Sequence, residues 1–221
     1  MDFGILFTSH PHKDREPYPH QAVHARVTEE IVTADRLGFD TAWLAEHHFS
    51  TEYGIMPDVW VYAGYLAALT KRIKLGMAVV TLPLSNPVRV VENAAFVDIL
   101  SGGRVALGLG SGYRKYEFDG FGLDFEARRD MQDEALAMIQ DLLRTGKTNR
   151  RVIAHDMRAH HGQRLGLGRV HLARHDAAAR FVLWQDQLAQ TRAGTRAQQA
   201  HVVGDLEEAR RHGLQRAREH D

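Results

Sequence analysis

Glu46-His47-His48 puts one carboxylate and two imidazoles at consecutive positions of a 221-residue chain. An imidazole titrates near neutral pH and can move a proton, and a neighbouring carboxylate can fix which ring nitrogen carries it. The same residues serve poorly as a metal site. Adjacent side chains on an extended strand point to opposite faces, and no third ligand is spaced to complete a shell. A proton-handling or ligand-positioning role therefore stands against a polar cluster that is merely satisfied at a strand end. A second group is Gly108-Leu109-Gly110-Ser111-Gly112. It departs from the dinucleotide pattern G-x-G-x-x-G because Tyr113 stands in the third glycine's place and no helix opens directly behind it. It reads as a loop whose bare backbone approaches a flat ligand or another loop, or else as a plain strand-to-loop turn. His10, His12, His20 and His24 flank an early polar loop and read as solvated side chains. Trp43 and Trp60 read as core, and Arg104 as a residue of the fold's far end, away from the chemistry.

The elements that must position these groups follow from apolar spacing. Residues 3–7 form a short apolar run, a buried strand. Val23, Val27, Ile31, Ala34 and Leu37 recur at helical spacing, with Gly38 as a stop. Thr41-Ala42-Trp43-Leu44-Ala45 predicts a second strand, and Pro57 and Asp58 open a helix reaching Leu69. Residues 73–80 predict a third strand. Asn86 as N-cap with Pro87 in the first helical position starts a helix to about Leu100. Gly102-Gly103 then turns the chain into a fourth strand over 104–109, and a last helix carries the stripe Met131, Ala135, Ile139, Leu142. Strand starts near 3, 41, 73 and 104 leave room for one helix between each pair, which predicts parallel strands with right-handed crossovers. An open doubly wound sheet and a (β/α)₈ barrel both satisfy this. Either puts chemistry at the strands' C-terminal ends, at residues 7–9, 46–49, 79–82 and 108–112.

Composition bounds the function. There are 28 Lys+Arg, 28 Asp+Glu and no Cys, which excludes disulfides and thiolate metal sites and gives no electrostatic footprint for nucleic acid or a membrane surface. No apolar run spans a bilayer and the N-terminus lacks a signal-peptide pattern, so a cytoplasmic protein is expected. The balance hides a seam. Residues 1–150 carry 16 Lys+Arg and 20 Asp+Glu, all six Pro and 16 of the 18 aromatics; residues 151–221 carry 12 Arg, no Lys, 8 Asp+Glu and 8 of the 14 His. In the second segment, helices are predicted from the stripe Ala173, Ala177, Phe181, Trp184, Leu188 and from the capping-box-like Asp205-Leu206-Glu207-Glu208, with 151–172 irregular.

Several stretches, in order, resemble the bacterial luciferase-like flavin-dependent monooxygenases. They are Gly38-Phe39-Asp40-Thr41-Ala42-Trp43-Leu44-Ala45-Glu46-His47-His48-Phe49, Leu82-Pro83 with Asn86-Pro87-Val88-Arg89, Asp98-Ile99-Leu100-Ser101-Gly102-Gly103-Arg104, and Phe121-Gly122-Leu123-Asp124. The resemblance implies a TIM-type (β/α) barrel. About four βα units lie in residues 1–150, followed over 151–221 by an atypical, helical or irregular segment. It implies an oxidoreductase that uses reduced FMN and O₂ to oxygenate a small organic substrate, fed by a separate flavin reductase. His47 matches the family's proton-transfer histidine, and Glu46 an acidic residue shaping the flavin site. Met77, Ala78 and Val79, with a non-prolyl cis peptide between the last two, and Gly110 and Ser111 match cofactor-lining positions; no metal is implied. Two alternatives stand beside this: F420-dependent hydride transfer on the same barrel, and a half-barrel fragment that acts only by association. Unpaired sheet edges predict a homo-oligomer. The 71 residues after the seam are too few for four more units of a barrel that typically needs about 250 residues. A shifted reading frame near codon 150 would account for the break.

Overall fold

The computed structural model describes residues 2–12, 14–16 and 19–150, together with the strands Arg180–Leu183 and His201–Val202. The elements in chain order are β1 (Gly4–Phe7), α1 (Pro19–Leu37), β2 (Thr41–Leu44), α2 (Val59–Leu69), β3 (Lys74–Thr81), α3 (Pro87–Ser101), β4 (Val105–Gly110), α4 (Lys115–Phe121), α5 (Arg128–Thr145), β5 (Arg180–Leu183) and β6 (His201–Val202). Asp58 caps α2 by accepting Trp60 N–H and Val61 N–H, and Asn86 caps α3 ahead of Pro87, as their positions in the sequence predict.

The sheet runs β1-β2-β3-β4-β5-β6, and every neighbouring pair through β4–β5 is parallel. Strand order therefore follows chain order with no reversal. A doubly wound sheet reverses at a switch point, whereas a barrel winds one way. Successive right-handed crossovers then leave the helices on one face. Phe7, Ala42, Leu44, Leu75, Met77, Val80, Val105, Leu107 and Leu109 join one core with Val23, Val27, Ile31, Val59, Leu66, Val90, Val91, Met138 and Ile139 of the helices. Each fully buried aliphatic side chain contributes roughly 1.5–3 kcal/mol, so this helix-side layer carries the fold. The alternate strand positions, Gly4, Leu6, Trp43, Gly76, Ala106, Gly108 and Gly110, turn to the opposite, lumen-side face. Trp43 thus stands outside the helix-side core: its ring lies over Gly4 and Gly76 of the flanking strands.

Arg104 works at the N-terminal end of the strands, as expected of it. Nε donates to Ser101 O, one terminal nitrogen to Thr70 Oγ1 and Ile73 O, and the other to Ala67 O and Thr70 O. One guanidinium thereby satisfies carbonyls at the end of α2, the entry to β3 and the end of α3.

Two sequence expectations change. The helix read from Ala173 to Leu188 is interrupted by β5, which pairs in parallel with β4 and antiparallel with β6. Phe181-Val182-Leu183 is an aromatic and aliphatic run too short for its period to separate helix from strand, and the open edge of β4 decides in favour of strand. The stripe beginning at Asp205 and the stretch 151–172 lie outside the described residues. The second change is α4, which no helical stripe announced.

Candidate functional site

The C-terminal ends of β1 to β4 gather the chemistry. Ser9, just past β1, and Phe49, past β2, adopt positive φ (50° and 57°) although neither is glycine. Such backbone is uncommon outside glycine and concentrates at functional sites. Ser9 O accepts Ile55 N–H at 3.2 Å and Met56 O accepts His47 N–H at 3.0 Å, which ties the segment after β2 back over the strand ends. Gly54 makes this approach sterically feasible: its φ is 63°, and a Cβ there would run into the His47 ring.

His47 is almost covered, with 10% of its side chain exposed, and its Nδ1 lies 3.1 Å from Glu117 Oε1. The same oxygen accepts His48 N–H at 3.1 Å. A carboxylate only accepts, so Nδ1 donates and the neutral ring carries its lone pair on Nε2. No described residue hydrogen-bonds Nε2, and it is not sealed off from solvent. The arrangement is a proton acceptor with an unpaired Nε2, oriented through Nδ1 by a buried carboxylate.

The sequence had offered Glu46 as the carboxylate beside His47. Glu46 instead lies 3.3 Å from His48 Nε2 and accepts Val59 N–H at 3.0 Å, at the first residue of α2. Positions two apart on extended chain share a side, so Glu46 faces with His48, and His47 turns the other way. Glu117, 70 residues on, takes the role. Its only signal in the sequence is an acid set among Tyr113, Tyr116, Phe118 and Phe121, on a face of α4 that is buried.

The other expected positions divide. The Ala78–Val79 peptide bond is cis, and the β3–β4 register shifts between Met77 and Val80. This irregularity turns Met77 and Val80 both into the helix-side core, so the Met77 side chain takes no part in the lumen-side face. Gly110 lies directly against Val79: a Cβ there would stand 2.7 Å from Val79 Cγ2. Ser111 is buried at the end of β4. The glycine-rich loop then presses on another part of the protein, as one of its two readings anticipated, with Gly112 against Thr81 and Phe118. The rings past β2 and around α4 form two clusters. His47 lies against Tyr53 and Tyr113, and His48, Phe49 and Phe121 lie against one another; ring centroids of neighbouring pairs are 4.9–6.3 Å apart. Among the described residues no three His, Asp or Glu side chains converge to hold a metal ion, and no helix is long and apolar enough to cross a membrane.

A family model described as luciferase-like monooxygenase matches residues 1–164, running past the composition seam. The alkanal monooxygenase alpha chain of Photorhabdus laumondii is 34% identical over 132 residues, 58% of this chain and 36% of that one. Among solved structures, the oxygenating constituent of 3,6-diketocamphane monooxygenase from Pseudomonas putida, in complex with FMN, shares the fold. Its TM-score is 0.60 at 21% identity, over 66% of this chain and 40% of that one. The F420-dependent tetrahydromethanopterin reductase of Methanopyrus kandleri does so at a TM-score of 0.51 and 23% identity, over 66% and 41%. The chain spans between 28% and 40% of the length of the curated relatives it matches.

Proposed function

The chain belongs to the luciferase-like monooxygenase family, and from that premise we propose that it is a flavin-dependent monooxygenase using reduced FMN and O₂ on a small organic substrate. The observation that supports this reading is the His47–Glu117 pair at the C-terminal end of a parallel sheet whose strands β3 and β4 carry the cis Ala78–Val79 unit and Gly110 at that same end. The strands' C-terminal ends are where a βα barrel holds its ligand, and a proton acceptor there suits redox chemistry that must move protons. Ala78, Val79, Gly110 and Ser111 would hold the flavin, which when bound supplies the electrons for oxygen activation. His47 would accept or return a proton at Nε2, Glu117 would keep that nitrogen free, and the neighbouring aromatic rings would exclude water. The substrate is to be sought first among aliphatic aldehydes, because of the alkanal monooxygenase relative. A separate reductase would supply reduced flavin, and the protein would act in the cytoplasm.

Titration of the purified chain with FMN tests the reading, and the Gly110→Val variant sharpens it. Because a side chain at Gly110 would meet Val79, valine should cut FMN affinity by more than about 10-fold while the circular-dichroism spectrum stays unchanged. Unchanged FMN affinity in that variant would remove Gly110 from the cofactor site. The Methanopyrus neighbour motivates a second reading, F420 with hydride transfer, which the absorption spectrum of the bound cofactor separates from FMN. The partial coverage of the relatives motivates a third, a half-barrel that only associates; failure to bind either cofactor would favour it.

We also propose that the protein is a homo-oligomer. Helix α2 has no charged residue, and its Val61, Tyr65 and Leu69 are exposed beside Phe96, Ile99 and Leu100 of α3. A helix apolar on all sides is buried on all sides. A second copy presenting the same patch would cover it isologously. Sedimentation equilibrium should give a dimer that Val61→Glu dissociates; a monomeric wild type would refute this.

A further inference from the structure

Arg114 follows the glycine loop after β4. Its guanidinium carbon lies 4.5 Å from the ring centroid of Tyr53, 5.1 Å from that of Tyr113 and 5.9 Å from that of Tyr116. Its Nε donates to the Tyr113 hydroxyl and one terminal nitrogen to the Tyr116 hydroxyl, both at 3.1 Å. No described carboxylate pairs with Arg114. Phenol hydroxyls orient a guanidinium without neutralising it, and the second terminal nitrogen keeps both its donors unused. The rings of Tyr53 and Tyr113 also flank His47, with centroids 5.4 Å and 6.3 Å away. The oriented but unneutralised cation and the proton-handling residue therefore lie against the same two rings.

We propose that Arg114 is an anion-recognition residue of the His47 site, its planar fork taking the carboxylate or phosphate of the molecule bound there. One unused N–H on each terminal nitrogen matches two oxygens of either group, and tyrosine stacking holds the plane in place before the ligand arrives. The inference rests on the flavin reading only for the source of the anion: the phosphate of FMN or an acid group on the substrate.

The test uses the whole chain and an Arg114→Gln variant, in which a partly exposed side chain with only phenol partners is replaced by a polar one. The Arg114 Nε–H resonance, identified by its absence from the variant, is followed during separate titrations with inorganic phosphate and with hexanoate. FMN and riboflavin affinities are measured in parallel. A saturable shift with either anion is expected, and if the cofactor supplies the anion, FMN should bind roughly 10- to 100-fold more tightly than riboflavin, an advantage the variant erases. A saturable hexanoate shift, with the FMN-to-riboflavin ratio unchanged in the variant, assigns the anion to the substrate. If neither anion moves the resonance, the proposal is overturned whether or not flavin binds. If the anions bind and neither flavin does, the flavin reading fails and the assignment of Arg114 stands.

Discussion

A His47→Gln variant is expected to keep its affinity for FMN and to lose roughly 10²- to 10⁴-fold in single-turnover oxidation of bound reduced flavin with an aliphatic aldehyde and O₂. Glutamine retains a hydrogen-bonding side chain but cannot carry a proton to and fro near neutral pH. Glu117→Gln separates orientation from charge. The amide oxygen can still accept from Nδ1 and from His48 N–H, so the ring keeps its place, but the negative charge behind it is gone. Turnover should fall by about 10-fold, because the carboxylate that fixes the ring's tautomer and faces it with a full charge is replaced by a neutral acceptor. Glu46→Gln is the contrast. Glu46 contacts His48 and the start of α2 and not the His47 ring, so its turnover should stay near that of the wild type. An equal loss of turnover in both variants would mean that the rate depends on the general field of the site and not on the His47–Glu117 contact.

The second large effect concerns stability. Asp35, in the last turn of α1, accepts three consecutive backbone N–H groups, Lys71 at 2.9 Å, Arg72 at 2.8 Å and Ile73 at 2.7 Å, where the chain leaves α2 and enters β3. Hydrogen bonds to a charged acceptor contribute about 1.5–3 kcal/mol each, and water can replace the acceptor only at the more exposed positions. Asp35→Ala should therefore lower the free energy of unfolding by about 3–5 kcal/mol at neutral pH with little change in m-value, read by urea denaturation. A loss under about 0.5 kcal/mol would show that the junction is held without it. The pH dependence has a definite sign. Burial pushes the Asp35 carboxyl up, and the three backbone donors outweigh it, leaving the group below the usual carboxylate range. Its folded pKa lies below the unfolded one, so its contribution is complete above the unfolded value, near 4, and is lost as pH falls through the folded value. Asp98, raised by burial, contributes in the opposite sense. Subtracting the Asp35→Ala curve from the wild-type curve removes Asp98 and leaves the Asp35 contribution, which must shrink with acidification.

The amino-acid sequence by itself determined β1 to β4, the helices α1, α2, α3 and α5, and the family. Apolar runs placed β1 to β4, Asn86-Pro87 and Asp58 placed two helix starts, and strand spacing implied parallel pairing, because these signals act over one or two turns of chain. It also brought Glu46, His47, Ala78, Val79 and Gly110 to strand ends, since in a βα repeat the end of each strand is fixed by its own apolar run. Tertiary structure alone decided how those ends meet. Strand order chose the barrel winding over the doubly wound sheet, a matter of which edge each crossover returns to, and local pattern does not encode it. It paired His47 with Glu117 and not with the adjacent Glu46, sent the Met77 side chain into the core through the register shift at the cis bond, and gathered Tyr53, Tyr113 and Arg114 beside the histidine. It also drew Phe181-Val182-Leu183 onto β4 as a strand where helical spacing had been read. Each outcome turns on partners tens of residues apart. Side-chain direction and an open hydrogen-bonding edge are properties of neighbours in space, and only folding supplies those neighbours.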